Sequence, residues 1–65
     1  MYVVTQSHKI VNIDRFDTIE IDEKGIYALS EKREVLLGRY EDEETARAKM
    51  FDLSSKIGTE KVYEM

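Results

Sequence analysis

The chain lacks cysteine and proline and holds one histidine and three glycines in 65 residues. Without cysteine there is no disulfide and no thiolate zinc site. A single histidine cannot anchor a histidine-based metal site. No apolar run approaches the ~20 residues that a membrane span needs. Residues 1–6 lack the basic-then-apolar layout of a signal peptide. A cytoplasmic location is the expectation, and the missing cysteine agrees with it. No repeat, low-complexity stretch or linker divides the chain, so residues 1–65 are read as one domain.

A chain this short buries only about 60% of the surface its unfolded form exposes. Small domains usually add disulfides, a metal or a second subunit. Here the second subunit is the device that remains, although 42% hydrophobic residues also suit a compact monomer. The net charge is −4, from 10 Lys and Arg against 14 Asp and Glu. Acidic neighbours interleave with most of the cations, which argues against direct nucleic-acid binding.

Residues 34–57 organise the rest. Val35, Leu36, Leu37 and Tyr40 read as a strand. Ala46, Met50, Leu53 and Ile57 follow at i, i+4, i+7 and i+11, one face of a helix. Asp42 is placed to cap that helix, and Glu43 and Glu44 suit the positive end of its dipole. Gly58, with Lys56 in the last turn, marks the stop. The helix is therefore expected over residues 42–57.

The sheet is expected over residues 1–40. Residues 1–5 and the run Ile10, Val11, Ile13 suggest a hairpin around a polar turn at residues 6–9. Asn12 and Asp14 can bond nearby backbone and end the second strand. Ile19 and Ile21 alternate with Thr18, Glu20 and Asp22, the pattern of a half-buried strand. A turn follows at residues 22–25, with Gly25 available for a positive φ. Ile26, Tyr27, Ala28 and Leu29 form the next strand, and Gly38 marks a bulge or close approach in the last. Residues 59–65 are a short strand or a tail.

These elements predict an α+β fold. About five short strands form an antiparallel meander, a curved sheet or partly open small barrel, capped by one C-terminal helix. The expected core takes Val3 or its neighbours, Ile10 or Val11, Ile13, Ile19, Ile21, Tyr27, Leu29, Val35 and Leu37, closed by Ala46, Met50, Leu53 and Ile57.

Few residues point to chemistry. Phe51 lies about 120° or more from the core-facing direction of the helix, with Ala48 and Ser55 on the same side. An aromatic between small residues suits an interface with another subunit or protein. A single partly exposed Phe, or one covered by Val62 and Tyr63, is the plainer reading. Tyr27 with Lys24, Lys32, Arg33 and Arg39 is the nearest approach to a nucleic-acid stacking surface, but a core tyrosine is the plainer reading of Tyr27. The acidic groups at residues 14–23 lack the ligand order of a calcium loop, and those at 41–44 are explained by capping. His8 sits in a turn with no nucleophile placed beside it by spacing.

The order Ile10-Val11-Asn12, Ile19-Glu20-Ile21, Ile26-Tyr27-Ala28 and Leu37-Gly38-Arg39-Tyr40, followed by Glu43-Glu44 and Ala46, resembles a group of small uncharacterised β-rich proteins. They belong to Gram-positive bacteria and their phages and prophages. The likeness covers roughly residues 1–57 and rests on a Leu-Gly-x-Tyr strand end and an acidic helix start. It departs at Lys49 and Phe51, where the pattern has an apolar and a polar residue. It implies the fold and a bacterial or prophage origin, and it brings no catalytic residue.

The residues and the likeness together lead to a non-enzymatic protein–protein interaction or self-associating module. A homo-oligomer, a dimer first, or another protein is the expected partner, with no cofactor, metal or identifiable small-molecule substrate. The alternative is a phage-type nucleic-acid-associated accessory protein using Tyr27, Lys32, Arg33 and Arg39.

Overall fold

The computed structural model describes residues 1–65 and is α+β. Six strands run β1 (Tyr2–Val4), β2 (Ile10–Asn12), β3 (Thr18–Asp22), β4 (Gly25–Leu29), β5 (Glu34–Arg39) and β6 (Val62–Glu64). A 3-10 turn (Ile13–Arg15) joins β2 to β3, and helix α1 (Glu43–Lys56) precedes β6. The single meander expected from the sequence is replaced by two open three-stranded sheets, ordered β2-β1-β6 and β3-β4-β5.

The second sheet is the antiparallel meander that tight turns dictate. The first is not, because β6 lies parallel to β1 with Val3 opposite Tyr63. A parallel neighbour needs a long connection, and here the second sheet and α1 supply it. The helix therefore sits before the last strand and packs over β3 and β4 rather than closing one end of a barrel. The sheets separate where the 3-10 turn interrupts the chain. Asn12 starts that turn by accepting the Asp14 backbone N–H at 3.1 Å. Gln6 tethers the sheets: its N–H donates to the Leu37 carbonyl at 3.1 Å, and its Oε1 accepts the Arg39 N–H at 2.7 Å.

One core lies between the sheets and under the helix. It comprises Val3, Ile13, Ile26, Ala28, Leu37, Ala46, Leu53 and Tyr63. Met50 packs against it as expected, but Ile57 is 52% exposed. Ile57 has already left the helix, with extended backbone at the C-cap, and Gly58 follows at φ +88° as the stop. The start is as read from sequence. Asp42 accepts the Thr45 backbone N–H at 2.7 Å, and that bond holds its carboxyl below the usual carboxylate range.

The phase of β4 is the reverse of the expectation. Ile26 and Ala28 are buried, whereas Tyr27 and Leu29 lie half-buried on the outer face. The cause is the two-residue turn: Asp22 pairs with Gly25, so Ile21 pairs with Ile26 and they share a face. The run Ile-Tyr-Ala-Leu has no alternation of its own to set the phase. Ile10 also faces out, 72% exposed, while its neighbour Val11 packs against the core.

The β4–β5 ladder slips between Ile26, opposite Gly38, and Tyr27, opposite Leu36. Leu37 is the extra residue, and this bulge turns Leu37 and Gly38 both inward. A Cβ on Gly38 would stand 2.9 Å from the Tyr40 hydroxyl and 3.1 Å from Gln6 Cδ. Gly25 does not take the positive φ assigned to it. Glu23 does, at +58°, and His8 does so in the first turn at +66°.

Two outcomes follow from the packing and the strain. Leu53 is 1% exposed, so Leu53→Ala should cost about 2–5 kcal/mol, enough to leave so small a domain largely unfolded in a urea titration. Glu23→Asn should raise the melting temperature, because asparagine tolerates left-handed backbone far better than glutamate. A gain of roughly 0.5–1 kcal/mol is expected by calorimetry.

Candidate functional site

The outward surfaces follow from strand register. On the first sheet, Val3 and Tyr63 point to the core, so their neighbours point away. Tyr2 stands between Asn12 and Val62, and Val4 stands between Ile10 and Glu64. Four of these six are apolar. Tyr2 is 50% exposed, Val62 59% and Ile10 72%. Ile57 joins them: it and Tyr2 border one open depression of about 560 Å³. Strand β1 is thus apolar on both faces and covered on one.

Helix α1 gives a second surface. Phe51 is 76% exposed, with Ala48 and Ser55 exposed along the same stripe. Val62 and Tyr63 do not cover it. Ser54 and Ser55 turn their hydroxyls onto the carbonyls of Phe51 and Asp52, each at 2.7 Å, so the stripe offers little free hydrogen-bonding capacity there.

The stacking candidates are not brought together. Tyr27 and Arg39 meet on the outer face of the second sheet, where the Arg39 guanidinium donates to the Tyr27 hydroxyl at 2.9 Å. Glu20, the residue opposite Tyr27 on β3, shares that face, as do Asp22 and Glu34. Lys32 and Arg33 lie at the opposite end of the sheet, in the β4–β5 turn. There they meet Arg15 from the 3-10 turn, all three lining one open recess of about 510 Å³. The Arg33 guanidinium sits over the Phe16 ring, 4.8 Å from its centre.

Beneath α1 the tyrosines tie the C-terminal strand to the body. The Tyr63 hydroxyl donates to Asp52 Oδ2 at 2.5 Å, and the Lys49 ammonium lies 4.9 Å above the Tyr63 ring. Lys49 is half-buried, with its ammonium over this ring. The Tyr40 hydroxyl donates to the Met65 carbonyl at 3.0 Å. Burial raises the pKa of both phenols, and the Asp52 hydrogen bond and charge raise that of Tyr63 further.

Sequence reasoning missed the outer face of the first sheet and the place of Arg15. The first had a signal: Tyr2-Val3-Val4 is apolar without alternation, the mark of a strand meant to be covered twice. The second had none, since Arg15 and Lys32 are far apart in the chain. No helix is long and apolar enough to cross a membrane, and no three His, Cys, Asp or Glu side chains converge as a metal site. No family model, no curated protein and no solved structure matches the chain.

The raised tyrosine pKa values fix an alkaline limit. Above about pH 10 the unfolded phenols ionise while the folded ones hold their protons, so the unfolded state binds fewer protons and stability falls as pH rises. The urea midpoint should therefore drop between pH 9 and about pH 11. Tyr63→Phe should be less stable at neutral pH, by about 1 kcal/mol for the lost hydrogen bond, and the alkaline fall of its urea midpoint should be shallower.

Proposed function

We propose that the protein is a non-enzymatic interaction module that pairs with a second copy of itself through the outer face of β2-β1-β6. The observation that carries this reading is the composition of that face: Tyr2, Val4, Ile10 and Val62 stand outward on a sheet covered only from behind. Exposed apolar residues are ordinary singly, but contiguous ones mark contact surfaces. Four of the six large hydrophobics exposed on the chain, Tyr2, Ile10, Ile57 and Val62, lie on or beside it.

A second copy suits the surface because the chain is short of core. Only 11 of 65 residues are buried, and neither disulfide nor metal is on hand to compensate. Two such faces stacked about 10 Å apart give each sheet the second layer it lacks. A standard interface takes about 800 Å² per partner, around one-sixth of the 4728 Å² that the chain exposes. The apolar face supplies the centre, and its polar surround, including Lys9, Asn12, Lys61 and Glu64, supplies the rim.

Phe51 favours a second surface. Its exposure between Ala48 and Ser55 suits a further protein partner docking on α1. The nucleic-acid alternative has less behind it, because Tyr27 is ringed by Glu20, Asp22 and Glu34 on its own face.

Solution mass separates the surfaces. Light scattering over a range of concentrations should give a dimer for the wild type and a monomer for Ile10→Lys combined with Val62→Lys. Phe51→Ser should remain a dimer. A wild type that stays monomeric at millimolar concentration overturns self-association, and loss of the dimer in Phe51→Ser alone moves the interface to the helix.

A further inference from the structure

The recess lined by Arg15, Asp17, Ser30, Glu31, Lys32 and Arg33 is independent of the dimer face, and no apolar residue lines it. Its walls are two chain segments pinned side by side. The Asp17 N–H donates to the Leu29 carbonyl at 2.8 Å, and the Ser30 N–H donates to the Arg33 carbonyl at 2.8 Å, closing the β4–β5 turn. The Arg33 guanidinium is further held over Phe16.

Three cations thus line one concavity on a chain of net charge −4. None of them is paired with a carboxylate, and Arg33 meets only the Phe16 ring. The only ion pairs within 4.0 Å in the molecule are the Met1 amine with Asp14 and Arg47 with Glu43. Asp17 and Glu31 line the recess too, yet neither carboxylate pairs with Arg15, Lys32 or Arg33.

The geometry points to this recess as a binding site for a compact polyanion of the di- or triphosphate class. The recess is open and its charged side chains are exposed, so its entirely polar lining suits a hydrophilic ligand held at the surface by charge. Two guanidinium forks match phosphate oxygens in pairs, and the Lys32 ammonium adds a mobile point charge. Ser30 offers a hydroxyl at the same wall. The Phe16 face is occupied by Arg33, so the site reads phosphate charge and not a stacked base. Asp17 and Glu31 oppose the ligand, and their charge sets an affinity well short of a dedicated phosphate loop.

The test is titration of the ¹⁵N-labelled full chain with tripolyphosphate at low salt, with sulfate as a second probe. Saturable one-to-one shifts confined to residues 15–17 and 30–33 are expected, with sulfate at least tenfold weaker. Lys32→Gln and Arg15→Gln should each weaken binding by about three- to tenfold. Glu31→Gln should tighten it by a similar factor, an opposite sign that loss of structure would not produce. Arg39→Gln, at the far end of the sheet, should leave it unchanged. Shifts that never saturate, that spread evenly over all lysines and arginines, or that survive the Arg15/Lys32/Arg33 triple glutamine variant overturn the site. So does a single-stranded oligonucleotide that binds more tightly than tripolyphosphate and shifts Tyr27.

Discussion

Everything in this fold hangs on one small apolar cluster shared by the helix and by two sheets that could not stand alone. A three-stranded sheet becomes stable when something covers one face. Here Ala46 and Leu53 of the helix, both essentially inaccessible, share one cluster with Ile26, Ala28 and Leu37 from one sheet and Val3 and Tyr63 from the other. The same small cluster therefore covers the helix's inner side and each sheet's inner face. Gln6 and Tyr40 reinforce the join with hydrogen bonds, Gln6 with two to β5 and Tyr40 with one to the Met65 carbonyl. Those bonds set geometry, whereas the apolar contact supplies the greater part of the free energy.

Because the core is shared, each sheet has one face left over, and the two leftover faces differ in chemistry. That of β3-β4-β5 alternates Glu20, Asp22 and Glu34 with Tyr27, Leu29 and Leu36, a mixed surface that water tolerates. That of β2-β1-β6 is mostly apolar, with Tyr2, Ile10 and Val62 exposed. The basic recess arises from topology in another way. The 3-10 turn drops Arg15 beside the β4–β5 turn, so cations from distant parts of the chain share a wall although acid prevails overall. The outer face of β2-β1-β6 and the recess lie on different elements.

Much of this was legible residue by residue. Asp42 and Gly58 bracket the helix because capping bonds are made within a few residues of the chain. Ile19 and Ile21 reveal their inward face because Glu20 and Asp22 cannot be buried. Phe51 stands apart by simple helical angle, and its exposure agrees. Tyr27 and Leu29 were misplaced because an unbroken apolar run states no phase; counting pairs through the Asp22–Gly25 turn would have supplied it. Ile57 was misplaced because periodicity continues past the point where the backbone has already turned away.

Amino-acid order alone thus determined the helix, its two capping residues, the β3-β4-β5 meander and the lack of a disulfide. Each depends on hydrogen bonds, dihedral preferences or alternation spanning a few residues. Tertiary structure alone decided that β6 returns to lie parallel beside β1, which side of β1 stays bare, and that Arg15 meets Lys32 and Arg33. Those outcomes are pairings between distant segments. Their loop-closure entropy is recovered only when the shared core forms, so no local stretch of the chain carries the choice.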